Sequence, residues 1–184
     1  MILHDIDIRL KDGRAAVLRS PVEDDAEELL RFVRKAAGET EFLMRYPEEY
    51  ADYTLERERS FISGAGDDPD ALMIACFADG KIVANSRIDF RSGMKDRHRA
   101  TVAIAVLENF WGLGIGTRLF EEMFKAAEER GGVRQLELDF IEGNARARSL
   151  YEKLGFRITG VKPDAIRLKD GSFVNEYMMV KRLV

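Results

Sequence analysis

The order of apolar and polar positions along the chain predicts a mixture of short strands and amphipathic helices. Eight segments show the alternation, the continuous apolar run or the β-branched content of strands: residues 6–10, 15–18, 72–77, 81–90, 100–106, 135–140, 156–162 and 176–182. Asp-Gly turns follow the first and third of these segments and predict two β-hairpins. Helical spacing is found in four segments: one that Asp24 or Asp25 can cap and that runs to about Lys35, and three others over residues 55–62, 117–130 and 145–154. Residues 39–53 fit neither pattern.

The succession of these elements indicates one α/β domain over residues 1–184. Strand hairpins fill much of the first half, and helix and strand alternate after residue 106. A chain of 184 residues with 46% hydrophobic composition can bury one sizeable core and is short for two. No repeat, low-complexity segment or linker divides it.

Three glycines at every second position interrupt the chain between a predicted strand and a predicted helix. Gly112, Gly114 and Gly116 follow the strand that ends near Val106. Glycine permits positive φ and lets a ligand approach the backbone closely. A helix that begins directly after such a loop presents unpaired N–H groups and partial positive charge, which together favour a bound phosphate. Two nucleotide-binding loops are disfavoured, because Thr117 stands where a dinucleotide fold needs a third glycine and no Gly-Lys-Ser/Thr follows.

A second segment, residues 144–156, combines a helix start with an apolar face. Asn144 is a good N-cap residue for the helix that follows. The face has the spacing i, i+3, i+4, i+7 and consists of Ala147, Leu150, Tyr151 and Leu154. Spacing alone is compatible with Tyr151 as an ordinary core residue.

Residues 111–117 and 144–156, in this order, resemble the two cofactor-facing motifs of the GCN5-related N-acetyltransferase (GNAT) superfamily, which transfers an acyl group from acyl-coenzyme A to an amine. The family pattern is Arg or Gln, two residues, Gly, one residue, then Gly or Ala. Gly114 and Gly116 match it, whereas Trp111 departs from it. The resemblance implies a central mixed, mostly antiparallel sheet flanked by helices and splayed between the family's fourth and fifth strands. These correspond to residues 100–106 and 135–140.

This resemblance also implies an activity and a set of site residues. The activity is an acetyl-CoA-dependent N-acetyltransferase that acts on a primary amine of a small molecule, an amino acid or a protein. Tyr151 would lie near the cofactor sulfur as the proton donor, and a backbone N–H at the bulged end of the fourth strand, Val106 or Leu107, would stabilise the oxyanion. The implied cofactor-binding residues are Val106, Leu107, Gly112, Leu113, Gly114, Ile115, Gly116, Thr117, Asn144 and Tyr151.

The base that takes the proton of the attacking amine is open at this point. An alkylamine is mostly protonated at neutral pH, since its pKa is about 10. Strand alternation places Asp139 on the opposite face from Leu138 and Phe140, five residues before Asn144. Glu41, Glu108 and water are alternatives to Asp139. A non-catalytic acyl-CoA-binding or regulatory module that retains the loop is the alternative to an enzyme.

Charge and composition restrict the partners. The net charge is −4, and by count residues 1–70 carry 18 acidic and 10 basic side chains, which would suit a cationic acceptor. No basic stripe interleaved with aromatic residues indicates nucleic acid, and no apolar run is long enough for a membrane span. His4 and His98 lack the spacing of metal ligands, so we expect no metal. The single cysteine, Cys76, fits a buried thiol in a reducing cytoplasm, and exposed strand edges would allow a homodimer.

Overall fold

The computed structural model describes residues 1–183, which form eight β-strands and four α-helices. The strands are β1 (Ile6–Arg9), β2 (Ala15–Arg19), β3 (Ala71–Ala78), β4 (Lys81–Phe90), β5 (Arg99–Val106), β6 (Gln135–Ile141), β7 (Arg157–Arg167) and β8 (Phe173–Arg182). The helices are α1 (Ala26–Glu39), α2 (Leu55–Asp67), α3 (Ile115–Arg130) and α4 (Ala145–Lys153). Short 3-10 turns occupy Glu23–Asp25, Pro47–Tyr50 and Glu108–Phe110. The predicted mixed α/β fold is therefore confirmed, although α2, β7 and β8 are longer than predicted.

α1 starts where predicted, with Asp25 as its N-cap residue, but the Asp25 side chain bonds elsewhere. The Asp25 carboxylate accepts two hydrogen bonds from the Arg19 guanidinium, at 2.6 and 2.8 Å, and one from the Val22 N–H at 2.8 Å. It makes no side-chain cap to α1, which begins at Ala26. A bidentate, charge-assisted pair is stronger than a single cap bond, so the carboxylate joins β2 to the turn before the helix instead.

All eight strands form one sheet in the order β1-β2-β3-β4-β5-β6-β8-β7. Every neighbouring pair is antiparallel except β5 and β6, which run parallel. The parallel pairing covers only three positions, from Arg99 opposite Gln135 to Thr101 opposite Glu137. Beyond these positions the two strands diverge, and this is the splay expected between the family's fourth and fifth strands.

An ion pair holds the point where the strands separate. Arg99 donates both Nε and Nη2 to the Glu137 carboxylate, with Nη2 at 2.7 Å, and Gln135 donates to the same group at 2.5 Å. The guanidinium lowers the pKa of Glu137 below its ordinary value, because it stabilises the charged form. β5 and β6 are thus tied at one end and free at the other.

Helices cover both faces of the sheet. Arg87 of β4 pairs with Ala103 of β5, so their side chains share one face, where the Arg87 guanidinium lies over the Phe61 ring of α2. The next residue of β5, Ile104, points to the opposite face and lies beneath Gly116 of α3. The hydrophobic core fills the space between the sheet and the helices on its two faces. Its largest fully buried side chains include Phe32, Phe120 and Phe156. Within residues 1–183 no helix is long and apolar enough to cross a membrane.

Candidate active site

A cleft of about 680 Å³ opens where β5 and β6 diverge. One wall is the end of α1 with the segment after it, and the other is formed by the glycine loop, the start of α3 and α4. Its lining includes Glu39, Thr40, Phe42, Met44, Val102, Ile104, Val106, Gly112, Gly114, Ile115, Gly116, Thr117, Asp139, Phe140, Asn144 and Tyr151. Most of the predicted site residues therefore meet in one cavity.

The backbone of β5 faces this cleft with unpaired polar groups. The Leu107 N–H donates to the Val83 carbonyl at 3.0 Å, which makes Val106 and Ala84 a pair without mutual hydrogen bonds. The N–H groups of Val106 and, two residues earlier, Ile104 consequently point away from β4. They point toward β6, whose pairing with β5 has already ended at Thr101.

This register corrects the expectation for two predicted cofactor-binding residues. Leu107 has a buried side chain and an N–H already bonded to Val83, so it has no donor left for an oxyanion. Leu113 does not line the cleft, and its carbonyl accepts the Lys11 N–H at 3.2 Å. The expected bulge is also absent from the β4–β5 pairing, which is in continuous register, whereas a register shift occurs in β3 at Cys76 and Phe77.

The glycine loop has the conformation that its residues permit. Gly112 and Gly114 adopt φ values of 78° and 92°, and α3 begins directly after Gly114. The first three N–H groups of α3 have no partner within the helix, because its ladder starts when the Arg118 N–H bonds to the Gly114 carbonyl. Gly116 serves packing instead, since a Cβ there would lie 2.9 Å from Cδ2 of Leu150.

Tyr151 is both a core residue and a cleft residue. Its ring contacts those of Phe120, Phe140 and Phe156, with centroid separations of 5.8, 6.1 and 6.2 Å. Burial raises the pKa of its hydroxyl to about 12, so this group stays protonated at physiological pH. No side chain within residues 1–183 hydrogen-bonds that hydroxyl. Asn144 likewise combines two positions: its Oδ1 accepts the Ala147 N–H at 3.1 Å as the cap of α4, and it lines the cleft.

The four carboxylates near the cleft differ in availability. Asp139 lines it, but Lys162 donates to that carboxylate at 2.7 Å and to Glu176 at 2.8 Å. The two carboxylates raise the pKa of Lys162 above its ordinary value. Glu41 and Glu108 are not part of the lining; instead, the Glu108 main-chain N–H donates to the Glu39 carboxylate at 2.7 Å.

Glu39 and three basic residues also line the cleft, although no motif in the sequence indicates them. Glu39 falls in the segment 39–53 that fits neither pattern, so no local signal distinguishes it from the other acids of the first half. Lys11, Arg146 and Lys153 line the cleft, and none of the three has a carboxylate within 4 Å among residues 1–183. No local pattern marks Lys11, because it reaches the glycine loop only through the tertiary fold.

A second cavity of about 310 Å³ lies on the other side of the splay. It shares Phe42, Met44, Val102, Ala103, Asp139 and Phe140 with the main cleft, so the two spaces meet at these residues. The Phe42 ring lies at the boundary between the two cavities, with its Cε1 atom 3.5 Å from the position that a Cβ of Gly143 would occupy. A ligand in the main cleft and a ligand in the second cavity would therefore meet at the splay. No group of three or more potential metal ligands is found in the described part of the chain.

Solved structures share this architecture. A GNAT-family acetyltransferase from Streptococcus pneumoniae superposes with a TM-score of 0.84 at 27% sequence identity, over 91% of this chain and 99% of that one. A putative acetyltransferase from Salmonella typhimurium, solved with its cofactor acetyl-CoA, has a TM-score of 0.76 over 92% of this chain and 94% of that one. Its 17% identity supports a common fold alone.

Sequence comparison also finds acetyltransferases. The chain is 29% identical over 109 residues to the L-amino acid N-acetyltransferase AaaT of Escherichia coli (strain K12). That alignment covers 59% of this chain and 66% of the relative, just under two thirds of its length. The acetyltransferase (GNAT) family matches residues 33–156, which include β5, the glycine loop, α3, β6 and α4. Because that match covers more than half of the chain and contains every residue that lines the cleft except Lys11, the chain belongs to the GNAT acetyltransferase family.

Proposed function

We propose that this protein is an acetyl-CoA-dependent N-acetyltransferase that acts, as one domain over residues 1–184, on a primary amine. The observation that carries the proposal is the cleft at the splay, with unpaired β5 backbone groups at one end and the start of α3 at the other. The acetyl-CoA in the Salmonella structure and the activity in the name of the Escherichia coli relative support it.

The residues present fit coenzyme A. The free N–H groups at the start of α3 and the nearby cations suit the phosphates, and Gly112, Gly114 and Thr117 lie around them. The unpaired N–H groups of Ile104 and Val106 suit an amide-bearing arm that extends alongside β5 as an added strand. When bound, acetyl-CoA supplies an acyl group activated as a thioester.

Two groups of the chain would act on the reacting atoms. The Ile104 or Val106 N–H, fixed by the β4–β5 ladder, would donate to the acyl oxygen as negative charge develops. The Tyr151 hydroxyl holds its proton because burial raises its pKa to about 12, and it would give that proton to the departing sulfur. A thiol has a pKa of about 8.5, so this donation helps the reaction without being indispensable.

A proton must also leave the attacking amine. Asp139 stands where the two cavities meet, which is the position required of a base or of a residue that holds a water for this purpose. The Lys162 ammonium donates to this carboxylate at 2.7 Å and so occupies one of its two oxygens. Glu39, which lines the wall formed by α1, is the second candidate.

The acceptor we propose is the primary amine of an amino acid, a protein N-terminus or another small molecule. It would enter through the second cavity, whose walls combine apolar Phe42 and Met44 with the Asp139 carboxylate. A cytoplasmic location agrees with this cofactor and with the buried, reduced thiol of Cys76.

The homodimer expected from the sequence also stays a proposal. The edge strand β7 contains Pro163 and two register shifts, features that discourage pairing between exposed edges. An association would therefore need another surface. Size-exclusion chromatography with light scattering distinguishes monomer from dimer.

Calorimetric titration with acetyl-CoA tests the cofactor proposal. Gly114 and Gly131 flank the two ends of α3, both with positive φ, but only Gly114 lines the cleft. We expect Gly114→Trp to abolish binding and the matched control Gly131→Trp to retain it. A folded wild-type protein that does not bind acetyl-CoA would contradict the proposal.

Turnover separates the enzyme from a non-catalytic acyl-CoA-binding module. A panel of amino acids, peptides with free N-termini and small amines is incubated with acetyl-CoA, and the release of thiol is followed. Release that depends on the amine, with formation of the acetylated product, supports an N-acetyltransferase. Binding without release from any amine would favour the binding module.

A further inference from the structure

The turn of the N-terminal hairpin is attached to the glycine loop. The Lys11 N–H, in the turn between β1 and β2, donates to the Leu113 carbonyl at 3.2 Å. Three residues later, the Arg14 guanidinium lies 4.5 Å from the centroid of the Phe110 ring, just before the loop. The family match begins at residue 33, so this hairpin lies outside the part of the chain that identifies the family.

The Lys11 side chain crosses the loop at the start of α3. Its Cε and Cγ atoms lie 3.7 and 3.8 Å from the position that a Cβ on Gly114 would occupy, and the residue lines the cleft. No carboxylate within residues 1–183 lies within 4 Å of its ammonium group. In the same turn, by contrast, Arg14 is neutralised by Asp12 at 2.7 Å. The turn thus leaves one unpaired cation, and that cation is beside the first N–H groups of α3.

The glycine loop itself contributes no cation at its first position. Trp111 stands where the family pattern has Arg or Gln, and its Nε1–H donates to the Val106 carbonyl at 2.7 Å. The indole therefore fastens the loop to the end of β5. Its ring also supports Arg146, whose guanidinium lies 4.5 Å from the ring centroid.

We propose that Lys11 binds the pyrophosphate of coenzyme A and so makes the N-terminal hairpin part of the cofactor site, an inference that rests on the proposed function. The Lys11 ammonium supplies, from outside the glycine loop, the positive charge that Trp111 lacks. Arg146, held on the Trp111 ring, faces the same space from α4. An ammonium on a flexible stem suits this role, because it can follow a phosphate without a fixed planar geometry.

Calorimetric titration of Lys11→Met with two ligands tests the proposal. Coenzyme A and 3′-dephospho-coenzyme A both carry the pyrophosphate, but only the first carries the 3′-phosphate. The matched control is Lys81→Met, which removes another exposed lysine, at the first position of β4 and outside the cleft. We expect Lys11→Met to weaken both ligands by roughly tenfold, as for loss of one charge-assisted hydrogen bond, with Lys81→Met unchanged.

The outcomes separate this inference from the proposed function. Equal binding by Lys11→Met and Lys81→Met would overturn the role of Lys11 while leaving the cofactor site intact. A loss seen with coenzyme A but not with its 3′-dephospho form would also overturn it, because the contact would then be with the 3′-phosphate. Absence of binding by the wild-type protein would remove the proposed function and this inference together. Equal melting temperatures of both variants show that a weaker affinity does not reflect unfolding.

Discussion

Replacement of Tyr151 by phenylalanine isolates one hydroxyl in the middle of the cleft. The ring contacts with Phe120, Phe140 and Phe156 are retained, and no side chain among the described residues loses a hydrogen-bond partner. Stability at pH 8 should therefore change by less than about 0.5 kcal/mol. Affinity for acetyl-CoA should change less than about threefold, because the hydroxyl is proposed to act on the leaving sulfur rather than on the bound ground state.

The pH dependence of stability measures how strongly burial keeps the Tyr151 hydroxyl neutral. Burial raises the pKa of Tyr151 from 10.0 to about 12, which corresponds to roughly 3 kcal/mol of preference for the neutral form in the folded protein. Because the folded pKa is raised, this contribution is fully present below pH 10 and is lost as the pH rises through 12. At pH 11 the wild-type protein should have lost roughly 1 kcal/mol of unfolding free energy that the phenylalanine variant has not lost.

Urea unfolding of both proteins at pH 8 and pH 11 measures this difference, and steady-state kinetics with an amine identified in the panel measures the catalytic effect. We expect kcat to fall by roughly tenfold to a hundredfold in the variant, at or below the lower end of the range for a general acid, since a thiolate departs readily. A stability gap that does not change with pH would show that the hydroxyl is solvated. An unchanged kcat would refute its role as proton donor.

Three further outcomes follow from other contacts. Cys76 is fully buried and its pKa is raised to about 12, so it should resist a thiol reagent at pH 8 in the native protein and react at once in denaturant. Gly116→Val should lower the melting temperature and weaken acetyl-CoA binding, because its Cβ would meet Leu150 at 2.9 Å; unchanged values of both would contradict the packing role. Arg99 lowers the pKa of Glu137, so this pair contributes stability above the ordinary glutamate pKa of 4.5 that is lost as the pH falls. Arg99→Ala should consequently show a shallower loss of unfolding free energy on acidification than the wild type, measured by urea unfolding between pH 7 and pH 3.

The sequence predicted the elements because each of them is marked locally. Alternation over residues 6–10 and the Asp-Gly turns specify hairpins. Gly112, Gly114 and Gly116, which follow the strand that ends at Val106, specify a loop before a helix. β7 extends past the prediction to Arg167 because most of its side chains are exposed, so no apolar periodicity marks its second half. Asp25 occupies the predicted N-cap position without making the side-chain cap, because the guanidinium of Arg19, which competes for its carboxylate, comes from another element.

Which backbone groups face the cleft could not be read from residue types. Val106 and Leu107 are both apolar and adjacent, yet the register with β4 engages the N–H of one and frees that of the other. Lys11 and Gly114 are about one hundred positions apart, and only the packing of the hairpin against the loop brings them together. Such relations depend on long-range pairing, which a local pattern does not contain.

The unpaired edge in the middle of the sheet has a consequence for how this family diverges. Where recognition is made by main-chain groups of β5, the side chains at Ile104 and Val106 need only preserve a strand and its packing. Substitution there can accumulate without loss of the ligand, whereas a shift of register by one residue would exchange the free groups for bonded ones. Insertions and deletions near the splay, more than substitutions within it, should therefore mark the relatives that have abandoned the cofactor.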